Sequence, residues 1–151
     1  TAGSYYNLAC VFEKQIRYTE AEELYKRSLH IKEKILGEEH PQIALSYNNL
    51  ANIYRTQGKY VEAEKLYEKS LRISEKVLGE EHPNTALVYN NLAGVYDEQG
   101  KYREAEELYK KSLGIIEKAL SEEHPRAAVS YNNLAEVYWH QEKYEKRQLI
   151  I

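Results

Sequence analysis

Three segments of the chain each set two carboxylates beside an imidazole: Glu38-Glu39-His40, Glu80-Glu81-His82 and Glu122-Glu123-His124. These are zinc-binding residue types, but a zinc site needs three or four ligands converging on one point, and side chains adjacent along a chain rarely converge. The simpler reading is a helix entry, with the histidine before proline shaping the loop and the glutamates lying near the positive end of the following helix. Gly58-Lys59 and Gly100-Lys101 echo a phosphate loop without its upstream glycine or its following Ser or Thr, so they read as turns. His30 and His140 stand alone, and Cys10, the single cysteine, excludes an internal disulfide and any CxxC motif. With no nucleophile elbow, catalytic carboxylate pair or Ser-His-Asp order, the residues point away from an enzyme and from any metal or other cofactor.

What positions these loops is a repeat. Leu36-Gly37-Glu38-Glu39-His40-Pro41 returns at Leu78 to Pro83 and, with Ser121 in place of glycine, at Leu120 to Pro125, a period of 42 residues. Tyr47-Asn48-Asn49-Leu50-Ala51 recurs at Tyr89 to Ala93 and at Tyr131 to Ala135, and Tyr5 to Ala9 is a worn copy. Repetition on this scale is the mark of stacked supersecondary units.

Within a unit, Tyr47, Leu50, Ala51 and Tyr54 fall at i, i+3, i+4 and i+7, which predicts a first helix over about 44–57. Gln57-Gly58-Lys59 breaks the period, since glycine takes the left-handed conformation that closes a helix. Tyr60, Ala63, Tyr67, Ser70, Leu71 and Leu78 then predict a second helix over about 60–78, ended by Gly79, with Pro83 opening the next. Ala51 and Ala63 are the small residues that let the two helices of one hairpin approach. One hairpin leaves its apolar face uncovered, so neighbouring units supply the stability.

Tyr47-x-x-Leu50-Ala51-x-x-Tyr54, Ala63-x-x-x-Tyr67 and Pro83 together resemble the tetratricopeptide pattern. The longer unit, with Tyr-Asn-Asn-Leu-Ala, Gln-Gly-Lys-Tyr and Leu-Gly-x-x-His-Pro, is similar to the repeats of kinesin light chains and related bacterial proteins. The resemblance implies an all-α, right-handed α-solenoid of helix-turn-helix repeats, about three and a half units forming a single domain over 1–151. The units are approximately 1–41, 42–83, 84–125 and an incomplete 126–151. No heptad segment of the kind that joins a kinesin light chain to its motor is present in the sequence. Ile16 and Glu142 replace the turn glycine, and Arg147 stands where Ala63 and Ala105 do, so the last unit reads as a lone first helix acting as a cap. The missing initiator methionine and the irregular Leu149-Ile150-Ile151 tail suggest an excised fragment.

In such arrays first helices line a concave face, which the resemblance implies is where a ligand binds. The residues opposite the Tyr-Leu-Tyr face are Asn48, Asn52, Arg55 and Thr56, then Asn90, Gly94, Asp97 and Glu98, then Asn132, Glu136, Trp139 and His140, with Tyr6, Cys10, Glu13 and Lys14 at the start. Most of these columns vary while the framework stays constant. Asn48, Asn90 and Asn132 are shared, and a carboxamide that donates and accepts at once suits the backbone of an extended ligand. The alternative is that one asparagine of each Asn-Asn pair bonds a neighbouring helix. Charge runs from Lys14 and Arg55 to Asp97, Glu98 and Glu136, a polarity that could orient a mixed-charge peptide. Trp139 is either an aromatic anchor or a cover over apolar surface.

The expected function is a non-enzymatic protein–protein interaction scaffold taking a peptide or helix of a partner in this groove. The alternative is a structural or self-assembling module, a spacer or the sensor arm of a signalling protein, with self-association through the incomplete C-terminal unit. A formal charge of −3 lacks the basic footprint of a nucleic-acid or acidic-membrane binder. Lone-cysteine usage and the lack of a long apolar stretch suggest a cytoplasmic address.

Overall fold

A computed structural model describes residues 1–14 and 17–150, with side chains 11–14 outside the description. Over these residues the chain forms α1 (Ala2–Lys14), α2 (Tyr18–Leu36), α3 (Pro41–Thr56), α4 (Tyr60–Val77), α5 (Pro83–Glu98), α6 (Tyr102–Ala119) and α7 (Pro125–Ile150). The helices divide into two compact units, Thr1–Gly79 and Glu80–Ile151.

The expected helix boundaries hold to within a few residues, with one physical difference at the start. Helices α3, α5 and α7 each begin at a proline and not three residues later, because the preceding histidine is an N-cap. His40 Nδ1 accepts from the backbone N–H of Gln42 at 3.1 Å, and His82 Nδ1 from that of Asn84 at 3.0 Å. The third copy, His124 with Arg126, repeats this at 3.1 Å. One of the helix's unpaired N–H groups is thereby satisfied, and proline fills the position whose N–H has no helical partner. The imidazoles that looked like metal ligands are thus engaged with backbone.

The helix ends follow the glycines. Gly58 and Gly100 both sit at φ +77°, and the next residue closes the helix behind them, Lys59 N–H to Tyr54 carbonyl and Lys101 N–H to Tyr96 carbonyl, each at 2.8 Å. This is a Schellman closure.

In unit 1, α1 and α2 form one hairpin and α3 and α4 the next, with α2 packed on α3. Its core contains Ala9, Ala21, Tyr25, Leu50 and Ile53, and a second cluster gathers Leu29, Ile43, Ala44 and Ile73. In unit 2, α5 and α6 form a hairpin on which α7 packs, around Ala93, Ala105, Tyr109, Leu134 and Val137. The small crossing residues Ala9, Ala21, Ala51, Ala63, Ala93 and Ala105 are all fully buried.

A serine clips every hairpin. Ser28 Oγ donates to the carbonyl of Ala2 at 3.0 Å, Ser70 Oγ to that of Ala44 at 2.7 Å, and Ser112 Oγ to that of Ala86 at 2.8 Å. A helical carbonyl has a second lone pair, so this bond adds to the helix ladder without replacing it.

Helix α7 breaks the pattern. At the position of Gly58 and Gly100 it carries Glu142, which resists positive φ, and the helix runs straight through to Ile150. Folding back would in addition place Arg147 at the crossing where Ala63 and Ala105 admit no solvent. The lone first helix expected from the sequence is therefore what forms, lengthened by its tail. Ile16, the other turn substitution, lies outside the described residues.

Candidate functional site

The columns assigned to the groove lie on α1, α3, α5 and α7. In unit 1, Asn48 is only 3% exposed, while Asn52 and Arg55 are half-buried. The Tyr67 hydroxyl donates to Asn52 Oδ1, which ties that carboxamide to α4. Thr56 is exposed and donates back to the Asn52 carbonyl at 2.9 Å. The Cys10 sulfur lies 3.3 Å from the Tyr25 hydroxyl; the side chains of Glu13 and Lys14 lie outside the described residues.

In unit 2, Asn132, Glu136 and Trp139 are exposed on α7, and Asn90 is half-buried on α5. Gly94 is buried and Glu98 exposed. Asn90 Oδ1 accepts from Asn133 Nδ2 at 3.0 Å. The matching bond in unit 1 runs from Asn49 Nδ2 to the Tyr6 hydroxyl at 2.7 Å. The second asparagine of each of these pairs therefore reaches back to the preceding first helix and grips the residue in the first column. This is the neighbour-helix role the sequence left open, and it falls to Asn49 and Asn133.

His140, read from the sequence as isolated, pairs with Asp97: Nδ1 and Oδ1 are 2.8 Å apart. The pairing engages one of the acidic side chains that the sequence assigned to a groove, and offers no nucleophile. The Trp139 ring carries Lys143 Nζ at 4.0 Å from its centroid, a cation–π contact. Among the described residues no group of three or more His, Cys, Asp or Glu side chains is placed to hold a metal.

Sequence reasoning missed an apolar column. Leu45, Leu87 and Val129 occupy one repeat position, three residues before Asn48, Asn90 and Asn132, and all three are exposed. In unit 2, Leu87 and Val129 wall a pocket of about 200 Å³ together with Asn90, Ile116, Arg126 and Ser130. In unit 1 the corresponding site, about 350 Å³, is lined by Tyr6, Asn7, Lys32, Ile35, Leu36 and Gln42. Burial holds the Lys32 ammonium below its usual range, and its Nζ lies 4.7 Å from the Tyr6 ring centroid. The signal was available, because a conserved apolar position off the Tyr-Leu-Ala-Tyr face has no core to enter.

Between second and first helices the polar contacts also repeat. Tyr47 donates to Glu33 Oε1 at 2.7 Å and Tyr54 to Glu22 Oε1 at 2.9 Å, while Tyr131 donates to Glu117. Burial, reinforced by the bond to Glu33, pushes the Tyr47 hydroxyl up to about 12.

These hairpins define a class. The sequence profile of the tetratricopeptide repeat family matches residues 1–75, 42–118 and 104–146, and the chain belongs to that family. Its repeats are of the kinesin-light-chain-like type. A Podosopora anserina chain of nearly identical TPR-like repeats, provisionally assigned to the kinesin light chains, is 32% identical with a TM-score of 0.84, over 95% of this chain and 68% of that one. BtubC (BKLC) from P. vanneervenii superimposes with a TM-score of 0.85 at 26% identity, covering 99% of this chain. The chain spans 60% of the length of BtubC. RapI in its apo form shares the fold at 22% identity and a TM-score of 0.82, over 98% of this chain and 52% of that one. No curated protein matches the chain. The all-α solenoid class expected from the repeat is therefore the class observed, and proteins of this repeat family typically serve as interaction scaffolds.

Among the described residues, no helix is long and apolar enough to cross a membrane.

Proposed function

We propose that the chain is a non-enzymatic interaction scaffold that holds a peptide or helix of a partner protein along its first helices. The observation that carries this reading is the juxtaposition of Asn90 with the Leu87–Val129 pocket. A carboxamide whose oxygen is held by Asn133 keeps its N–H groups for a ligand backbone, beside a cavity sized for one apolar side chain. In unit 2, Asp97, Asn132, Glu136 and Trp139 complete the proposed surface, with Asp97 and Glu136 drawing the basic part of a segment; unit 1 presents Asn52 and Arg55 on α3, where Asn48 is buried. A net charge of −3 favours protein over nucleic acid or acidic membrane as partner, and a cytoplasmic setting fits the lone cysteine.

The test uses segments selected from a peptide library against the unaltered chain. Changing Asn48, Asn90 and Asn132 together to alanine is expected to weaken binding by at least about tenfold in calorimetry, as loss of several backbone clamps would. Because Asn48 is buried and Asn90 accepts from Asn133, the Asn90→Ala/Asn132→Ala pair is compared with Asn133→Ala, which loses the same hydrogen bond but keeps the Asn90 amide. A larger loss of affinity in the pair separates binding from stability. Unchanged affinity of that pair rejects the reading.

Self-assembly is the second reading, favoured by the end of α7, where Leu149 and Ile150 project almost fully into solvent. A mass that rises with concentration in light scattering, and that Leu149→Glu/Ile150→Glu abolishes, supports it.

A further inference from the structure

The outward face of α7 repeats a helix face that elsewhere in the chain is covered. Tyr131 is 48% exposed where Tyr89 is 1%, and Ala135 is exposed where Ala51 and Ala93 are fully buried. The covering helix uses the same contacts each time. In unit 1, α4 sets Lys69 Nζ 5.5 Å from the Tyr47 ring centroid, Ser70 on the Ala44 carbonyl and Lys76 on Glu39 at 2.6 Å. In unit 2, α6 sets Lys111 4.5 Å from the Tyr89 ring centroid, Ser112 on the Ala86 carbonyl and Lys118 on Glu81 at 2.7 Å; Lys111 lies 3.5 Å from Glu80 too.

Helix α7 offers the same acceptors one repeat on: the Tyr131 ring, the Ala128 carbonyl, Glu122 and Glu123. Tyr131 spends its hydroxyl on Glu117, as Tyr47 does on Glu33, which leaves the ring face that meets a lysine elsewhere. Residues 142–150 continue α7 as helix and do not fold back over this face.

We propose that this face of α7 docks an amphipathic helix of a partner chain. The contacts prescribe its chemistry: an alanine at the crossing, then tyrosine four, lysine six, serine seven and lysine thirteen residues later. The apolar strip packs on Tyr131, Ala135 and Tyr138, and the two lysines answer Glu122 and Glu123. The docked helix continues the α6–α7 packing by one layer, on a face distinct from the asparagine columns.

The probe is a synthetic peptide of residues 102–119, which carries this pattern as Ala105, Tyr109, Lys111, Ser112 and Lys118. Calorimetry is expected to show saturable binding of one peptide per chain. Ala135→Arg at the exposed crossing should weaken it more than tenfold, since a large side chain holds the helices apart. Glu123→Lys should weaken it about threefold, the scale of an exposed ion pair, and a Lys118→Glu peptide should recover the loss. The Asn90→Ala/Asn132→Ala chain should bind this peptide normally. Absence of binding at millimolar peptide, or affinity indifferent to Ala135→Arg, overturns the proposal. A dimer that forms without peptide and that Ala135→Arg dissolves would assign the face to a second copy and overturn it too.

Discussion

Asn133 donates its carboxamide N–H to the side-chain oxygen of Asn90, 3.0 Å away on the neighbouring first helix. The adjacent asparagines of one motif thus have different work. The second fastens first helix to first helix, and the first presents what remains of its amide beside the pocket. Asn133→Ala should lower stability by about 1 kcal/mol in urea unfolding, the worth of one part-buried hydrogen bond. It should also weaken a selected ligand, because Asn90 loses its anchor; ligand affinity that stays constant would separate the two columns.

Leu92 sits 3% exposed in unit 2, among the repeat's most enclosed side chains. Leu92→Ala is expected to cost about 2–5 kcal/mol by chemical denaturation, through lost burial and the cavity left behind. A cost under about 0.5 kcal/mol would contradict the packing described.

The histidine caps are separable from any metal role. His82→Ala should lower stability by about 1 kcal/mol, whereas His82→Asn, which keeps a side-chain acceptor at the N-cap, should lose little. Equal loss in both variants, read from thermal midpoints, would remove capping as the reason for the residue.

Glu22 supplies the pH dependence. Burial raises its carboxyl pKa, but hydrogen bonds from Lys26 and Tyr54, with the charges of Lys26 and Lys59, outweigh burial and hold it below the usual carboxylate range. A carboxyl depressed in the folded state adds stability that is fully present above its unfolded value, about 4.5, and is lost as pH falls through the folded value. Urea midpoints measured from pH 6 down to pH 3 should therefore decline, and less steeply in Glu22→Gln. Parallel curves would show that the Lys26–Glu22–Tyr54 cluster contributes nothing to folding.

Ser121 occupies φ +147°, where the equivalent Gly37 and Gly79 sit at +83° and +96°. A residue with a Cβ is strained there, so Ser121→Gly should raise stability by about 1 kcal/mol despite the looser unfolded chain. Differential scanning calorimetry reads the shift, and an unchanged or lower midpoint would mean that the loop bears no strain.

The repeat alone determined the helices, their hairpin pairing and the family. Tyr-Leu-Ala-Tyr spacing, the turn glycines and the prolines are local signals, because helix periodicity and φ preference act within a few residues of chain. Relations across helices were decided only in the folded structure. The partner of an asparagine depends on which neighbouring side chain packing brings within 3 Å, so sequence named both asparagine columns but could not apportion them. Likewise His140 looked isolated because its partner Asp97 lies 43 residues back, and the pocket that Leu87 and Val129 wall exists only once α5 and α7 pack together. Short-range periodicity writes the scaffold into the sequence; the chemistry of its surface arises where distant repeats meet, and only tertiary packing sets those distances.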